Sequence, residues 1–258
     1  MKKNKGRLRQ QWFVIKELTT REIKRRYSRS YLGIVWSVLN PLLTMLVISL
    51  IFTQIFRRSI ENFPVYFLTG NIIWTLFTTA TRGGMTTIVD NKNMLIRVKY
   101  PMEVFILARV WTAVVNFGYS FVAYIAIFFA FKTQLNIYVL YLPVIIFLVT
   151  LFSLGISQIL SVAYIFFGDV KHLYSVLLTL WMYCSAIFYP ADKLEGVIRR
   201  VIDANPMFAY INCARKVVMW GEFPSIADNL QMILWAFASY MLGRYILKKN
   251  RTKIMVHL

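Results

Sequence analysis

Charged side chains are scarce, at 16% of the 258 residues, against about a quarter in soluble domains. Acidic ones are the scarcer kind, 11 against 30 Lys and Arg. No carboxylate falls clearly inside a long apolar run, and Asp90, Glu103 and Asp169 stand at the boundaries of such runs. Proton- and sodium-coupled transporters bury carboxylates near the membrane midplane, so ion coupling is disfavoured. Histidine is nearly absent, with His172 and His257 isolated from each other. The two cysteines, Cys184 in an apolar run and Cys213 in a later polar stretch, have no metal-ligand spacing and are not expected to pair. There is no GxxxxGK(S/T) phosphate loop and no HExxH, GxSxG or CxxC pattern. That removes nucleotide binding by a phosphate loop and the hydrolase and redox chemistries those motifs mark. No cleavable signal peptide is visible, because the N-terminus stays basic for about 30 residues before any long apolar run.

What is abundant is apolar surface. Hydrophobic residues make up 58% of the chain, and the mean hydropathy is +0.56. A bilayer-spanning helix takes about 20 mostly apolar residues. Six segments qualify: 31–56, 63–81, 105–131, 139–167, 173–189 and 226–247. The expected fold is therefore all-α and polytopic. The fourth segment is long enough to tilt or to break, and "SLGISQ" at 153–158 is its expected weak point. Its small and polar residues also suit close helix packing. Asn40-Pro41 interrupts the first segment, and a bend is expected there because proline lacks an N–H and crowds the preceding turn.

The net charge of +19 is distributed in clusters that flank the apolar runs. Such placement fits membrane orientation rather than a nucleic-acid face. Lys and Arg crowd the N-terminal segment up to Arg29, the 82–99 stretch, the turn at Lys171 and the tail from Arg244 to Lys253. With six spans these all fall on one side, which the positive-inside rule makes cytoplasmic, both termini included. Arg109, near the start of the third segment, is expected to reach the cytoplasmic interface; contact with an anionic head group is the alternative.

Two segments are not expected to span. Residues 8–29 repeat Leu8, Trp12, Ile15, Thr19, Ile23 and Tyr27 at steps of three or four among basic residues, an amphipathic helix lying in the cytoplasmic interface. Each Lys or Arg near an anionic leaflet adds about 1 kcal/mol of attraction. The 190–222 segment is polar and interrupted at Asn205-Pro206. It reads as two short helices dipping into the outer interface, a re-entrant segment that must sit against other helices.

Three stretches then carry a family likeness: "REIKRRYSRSYLGIVWSVLNPLL" from Arg21, "DNKNMLIRVKYPMEV" from Asp90, and the Pro…Asn-Pro…Arg series between Ser185 and Arg215. In order and in register with six spans, they resemble the membrane subunit of ABC-2-type polysaccharide exporters, which carry O-antigen, capsule or teichoic acid chains. The resemblance covers nearly the whole chain and implies a single transmembrane domain over 1–258. It implies a homodimer with two copies of a separate ATPase that hold ATP and Mg, no cofactor on this chain, and an undecaprenyl-diphosphate-linked glycan as substrate, O-antigen first. The 88–100 loop would couple to the ATPase through Asp90, Asn91, Asn93, Leu95, Ile96 and Arg97, docking by Leu95 and Ile96. Lys24, Arg25, Arg26 and Arg29 are candidates for the lipid head-group entrance, with a purely topological role as their alternative. Tyr189, Pro190, Asn205, Pro206 and Arg215 would belong to the outer gate. Trp36, Asn40, Tyr119 and Trp181 are candidate channel-lining residues, set against a packing role for most aromatics. Two other readings are open at this point: export of small amphiphiles by the same superfamily, and a membrane-embedded glycan-assembly enzyme using Asp192, Glu195 or Asp203.

Overall fold

The computed structural model describes residues 2–28, 30–55, 62–97, 100–131, 133 and 135–257. Among them the chain is helical: α1 (Lys2–Tyr27), α2 (Val35–Ile55), α3 (Phe63–Asp90), α4 (Lys92–Arg97), α5 (Met102–Ala130), α6 (Leu142–Phe166), α7 (Val170–Cys184), α8 (Gly196–Asp203), α9 (Pro206–Arg215), α10 (Ile226–Lys249) and α11 (Arg251–His257). A short 3-10 turn leads into α6, and a π-helical turn, Lys216–Trp220, follows α9.

Among the described residues, four segments are long and apolar enough to cross a bilayer: Val35–Phe52, Met102–Ala130, Ile137–Phe166 and Ile226–Lys249. The chain is a multi-pass membrane protein. The expected spans at 63–81 and 173–189 fall on α3 and α7. α3 is 28 residues long, about 42 Å at 1.5 Å per residue, but Thr, Gly and Asn dilute its hydropathy. It need not be apolar all round, because it lies between α5 and α6 with most of its length buried. α7 is 15 residues and stops at Cys184, so Ser185–Tyr189 lie outside the helix. Its exposed face is apolar, with Leu173, Val176, Leu180 and Tyr183.

The apolar interior runs along the bundle. A large central cluster joins α3, α5, α6 and α9. At one end a second cluster collects Val14, Ile15 and Leu18 of α1, Ile88 of α3, Leu95 of α4, Phe105 of α5 and Ile254 of α11. At the other end a small cluster gathers Ala186, Ala191, Ile202 and Phe208. The α1 end is the basic one.

Close helix packing replaces the expected break at 153–158. α6 is continuous through Ser153–Gln158. A Cβ on Gly155 would stand 2.3 Å from the Ser239 carbonyl carbon, and one on Gly243 would stand 2.4 Å from the Gly155 carbonyl oxygen. Small residues let α6 and α10 touch backbone to backbone, as membrane helices do where no hydrophobic drive separates lipid from protein.

α1 buries Ile15 and Thr19 of the expected stripe and half-buries Ile23 and Tyr27, but Trp12 lies off it. Val14, Ile15, Leu18 and Thr19 are buried, whereas Trp12 and Phe13 are exposed. The buried stripe meets α5, where the Thr19 hydroxyl donates to the Ala108 carbonyl at 3.3 Å. Arg109 joins this seam by an ion pair with Glu22 of α1 and another with Asp90 of α3 at 3.5 Å. Its positive charge is spent on holding α1, α3 and α5 together.

In 190–222, α8 and α9 are joined at Ala204-Asn205, as expected. α8 is mostly exposed, whereas α9 packs against other helices, as a re-entrant segment must: Met207, Tyr210, Ile211, Ala214 and Arg215 are fully buried against α3, α6 and α10. Cys213 is buried with them, not placed in a polar loop, and both cysteines are free.

Candidate functional site

The junction of α1 and α2 builds a cavity of about 240 Å³. Polar residues reach it by helical spacing: Trp36 and Asn40 of α2, Thr75 and Thr79 of α3, and Asn116 and Ser120 of α5 are each four apart and share a face. Arg26 and Tyr27 close it from the end of α1. The turn between the helices depends on Gly33, whose φ of +50° suits glycine and whose N–H is held by Ser30 Oγ at 3.1 Å.

Pro41 accounts for one polar wall. α2 runs through Pro41 unbroken, yet proline offers no N–H to the carbonyl four residues earlier, which is that of Ser37. The Ser120 hydroxyl donates to that freed carbonyl at 3.1 Å. A backbone group left bare by proline is thus paired by a neighbouring helix, as the bilayer requires. The Tyr27 hydroxyl contacts the Ser37 hydroxyl and donates to Asn116 Oδ1 at 3.4 Å. Asn116 and Ser120 are 9% and 8% exposed, so these bonds are screened from water.

Arg26 gives the cavity its charge. Its guanidinium lies 5.8 Å from the Tyr27 ring centroid, and among the described residues it has no carboxylate partner. Lys24 and Arg25 are exposed at the same helix end but do not line the cavity. Arg29 lies outside the described residues. Of the expected channel-lining residues, Trp36 and Asn40 reach this cavity and Tyr119 and Trp181 do not. Asn116, Ser120, Thr75 and Thr79 were not singled out by sequence, although polar pairs four apart inside apolar runs were the signal.

The predicted coupling segment is mostly α4. Asp90 and Asn91 are engaged at the surface by the chain's own residues: exposed Asp90 accepts from Thr86 Oγ1 at 2.8 Å, and half-buried Asn91 accepts from Arg21 through Oδ1 at 2.6 Å. Leu95 is 5% exposed and belongs to the protein's own interior. The expectation that Leu95 docks outward is corrected by that burial; Asn93, Ile96 and Arg97, with Lys92, form the exposed face.

The residues assigned to an outer gate do several things at the α9 end. Asn205 is a knot: its Oδ1 accepts from Trp181 Nε1 at 2.7 Å and from the Met207 N–H at 2.9 Å, while Nδ2 donates to the Cys184 carbonyl at 2.9 Å. Pro206 opens α9 at the first helical position, where its missing N–H costs nothing. Trp181 is committed to this bond and to an edge contact with Phe77 at 5.2 Å. Tyr189 donates to the Tyr183 carbonyl at 2.5 Å, and its own carbonyl accepts from Tyr66 at 2.9 Å. Pro190 and Arg215 line a second cavity of about 220 Å³. Arg215 is 1% exposed; it donates to the Ala186 and Ile187 carbonyls at 3.0 and 3.1 Å and lies 3.5 Å from the Tyr66 ring centroid. Burial draws its guanidinium down to about 10, so it stays protonated at neutral pH. Among the described residues no group of three His, Cys, Asp or Glu is placed to hold a metal ion.

The chain resembles known export proteins over most of its length. The family model described as ABC-2 type transporter matches residues 14–219. The chain is 31% identical over 235 residues to the O-antigen export system permease protein RfbA of Myxococcus xanthus, covering 88% of this chain and 90% of that one. To the protein of the same name in Klebsiella pneumoniae it is 28% identical over 205 residues, 79% of each chain. To the polysialic acid transport protein KpsM of Escherichia coli it is 23% identical over 233 residues, 89% of this chain and 90% of that one. With most of its length inside the family model and a relative above 30% identity along nearly the whole chain, this protein belongs to the ABC-2 type transporter family.

Proposed function

We propose that the chain is the membrane-spanning permease subunit of an ATP-driven exporter that moves an undecaprenyl-diphosphate-linked polysaccharide, an O-antigen, from the cytoplasm across the bacterial inner membrane. One observation carries the reading to this site: Arg26, which has no carboxylate partner among the described residues, stands beside a polar cavity on α2, whose exposed flank bears Leu43, Leu46, Val47 and Leu50. A lipid-linked diphosphate presents an anion on a long apolar tail. A cation attracts the head group, and the apolar helix flank suits the tail. The names of the relatives supply the substrate class.

In this reading α3 and α7 complete six spans, and the basic α1 end faces the cytoplasm. α1 lies in the interface, and α8 with α9 closes the outer end. Two copies form the passage, and each binds one ATPase subunit through Lys92, Asn93, Ile96 and Arg97 of α4. ATP and Mg belong to that partner, because this chain has no phosphate loop. Its role is transport, not catalysis.

Deleting the gene is expected to leave finished lipid-linked glycan inside the cell. Arg26→Glu, expressed at the wild-type level and still bound to its ATPase, is expected to cut surface glycan about tenfold, the effect of replacing attraction by repulsion at one charged contact. Unchanged export in that variant overturns the head-group assignment. Arrest of chain growth in the deletion strain would make the protein an assembly enzyme instead.

A further inference from the structure

α7 stops sooner than its sequence requires. No Gly or Pro interrupts residues 170–189, and Pro190 is the first residue that ends a helix on its own account. Yet α7 ends at Cys184 after 15 residues, about 22 Å at 1.5 Å per residue, short of the roughly 30 Å of a hydrocarbon core. Continued to Tyr189 it would measure about 30 Å. Residues 185–189 form a non-helical turn instead, and Ser185, Ala186 and Ile187 are buried in it. Ala186 stands there at φ +48°, where an L side chain crowds the following carbonyl. The N–H groups of Ala186 and Ile187 find no backbone carbonyl among the described residues, a rare state for buried donors. Side chains of α3, α9 and the turn before α9 hold the segment open. Asn205 Nδ2 donates to the Cys184 carbonyl at 2.9 Å, Arg215 to those of Ala186 and Ile187, and the Tyr66 hydroxyl to that of Tyr189 at 2.9 Å. Arg215 does so while buried and, among the described residues, without a carboxylate partner.

We propose that residues 185–189 are a switch segment, which rewinds onto α7 and lengthens that helix by about 7 Å. In the unwound state Arg215, Asn205 and Tyr66 serve the carbonyls of the turn. In the rewound state the Ala186 and Ile187 N–H groups bond the Met182 and Tyr183 carbonyls four residues earlier, and Ala186 takes an ordinary helical φ. Arg215 is then released toward the cavity that it already lines with Asp192, whose carboxylate supplies the charge it lacks. Each state thus satisfies groups that the other leaves strained or bare, which makes the segment a two-state element. Its purpose rests on the export reading above. Lengthening α7 pushes the link to α8 outward at the end of the bundle opposite Arg26, where a glycan in transit must leave. The rewinding itself does not depend on the cargo.

The test biases the equilibrium with Ala186→Gly. Glycine adopts a positive φ freely and is a poor helix residue, so it favours the unwound turn on both counts. The unfolding midpoint is expected to rise by about 2–4 °C, and surface glycan to fall about fivefold, the weight of one alanine-to-glycine change in a helix. A turn with only a structural role would gain the same stability and export normally, and that result overturns the switch. Spin labels read the segment directly, on Val176→Cys and Ile198→Cys, exposed positions of α7 and α8. The background is Cys184→Ser, with buried Cys213 left in place. The full chain is measured in nanodiscs, alone and with its ATPase subunit under ATP and vanadate. A second distance between the labels is expected in at least one of these conditions and is expected to vanish in Ala186→Gly. One unchanged distance in every condition overturns the switch. Deletion of the gene separates the two claims: lost export with one fixed distance sinks the switch alone, and intact export with two distances sinks the export reading alone.

Discussion

Pro41 and Ser120 show how a single residue is accommodated. The Ser37 carbonyl has no partner within its own helix because Pro41 cannot donate, and Ser120 supplies the missing hydrogen bond from α5. Ser120→Ala is therefore expected to destabilise by about 1–3 kcal/mol, the cost of a buried acceptor left bare. In a Pro41→Ala background the alanine N–H bonds the same carbonyl, so Ser120→Ala should then cost close to nothing. Chemical unfolding of the four proteins in mixed micelles checks this. Equal costs in both backgrounds would remove the compensation. Asn205 is the counterpart at the far end, with one side chain serving α7, the turn after it and the start of α9.

α4 divides into an inward and an outward face, and six residues suffice to do it. Leu95 points into the cluster shared with α1, α5 and α11, while Ile96, one residue and 100° away, is 59% exposed. The two substitutions that sequence treats alike therefore differ. Leu95→Asp buries an unpaired carboxylate or opens the cluster and is expected to abolish accumulation of folded chain. Ile96→Asp is expected to keep the unfolding midpoint within about 2 °C, as exposed changes do, while reducing co-purification of the ATPase subunit. Fluorescence-detected gel filtration with a pull-down reads both. A stable Leu95→Asp chain that loses its ATPase would return Leu95 to the docking face. Elsewhere the small residues of α6 and α10 set helix contact: Gly155 and Gly243 each leave no space for a Cβ against the opposing backbone.

For the molecule as a whole, α9 belongs to the core and α8 to the surface. Met207, Tyr210 and Ile211 have no exposure at all, whereas Val197, Ile198 and Val201 are 74%, 61% and 53% exposed. Truncating a large buried side chain costs about 2–5 kcal/mol, and a folded domain has only about 5–15 kcal/mol in hand. Deleting residues 206–218 is thus expected to prevent folding, not merely to impair a gate. Replacing Val197, Ile198 and Val201 with serine is expected to leave a monodisperse chain in gel filtration. Recovery of folded protein from the deletion would show that α9 is dispensable to the core.

Much of this was legible in the sequence. Apolar runs of about 20 residues, their basic flanks and the Asn205-Pro206 break determined an all-helical, multi-pass chain with one basic end, because hydropathy and proline act locally. The motif from Arg26 through Tyr27, Trp36 and Asn40 to Pro41 marked the candidate site, since residues close in sequence line one junction. Tertiary structure alone decided which side chains face each other across helices. It paired Arg109 with Glu22 and Asp90, turned Leu95 inward, sank α9 into the bundle, and brought Thr75, Thr79, Asn116 and Ser120 to the same cavity. These depend on helix rotation and on contacts between residues far apart in the chain. A hydropathy pattern constrains a buried polar residue to need a partner, but only packing selects which partner it gets.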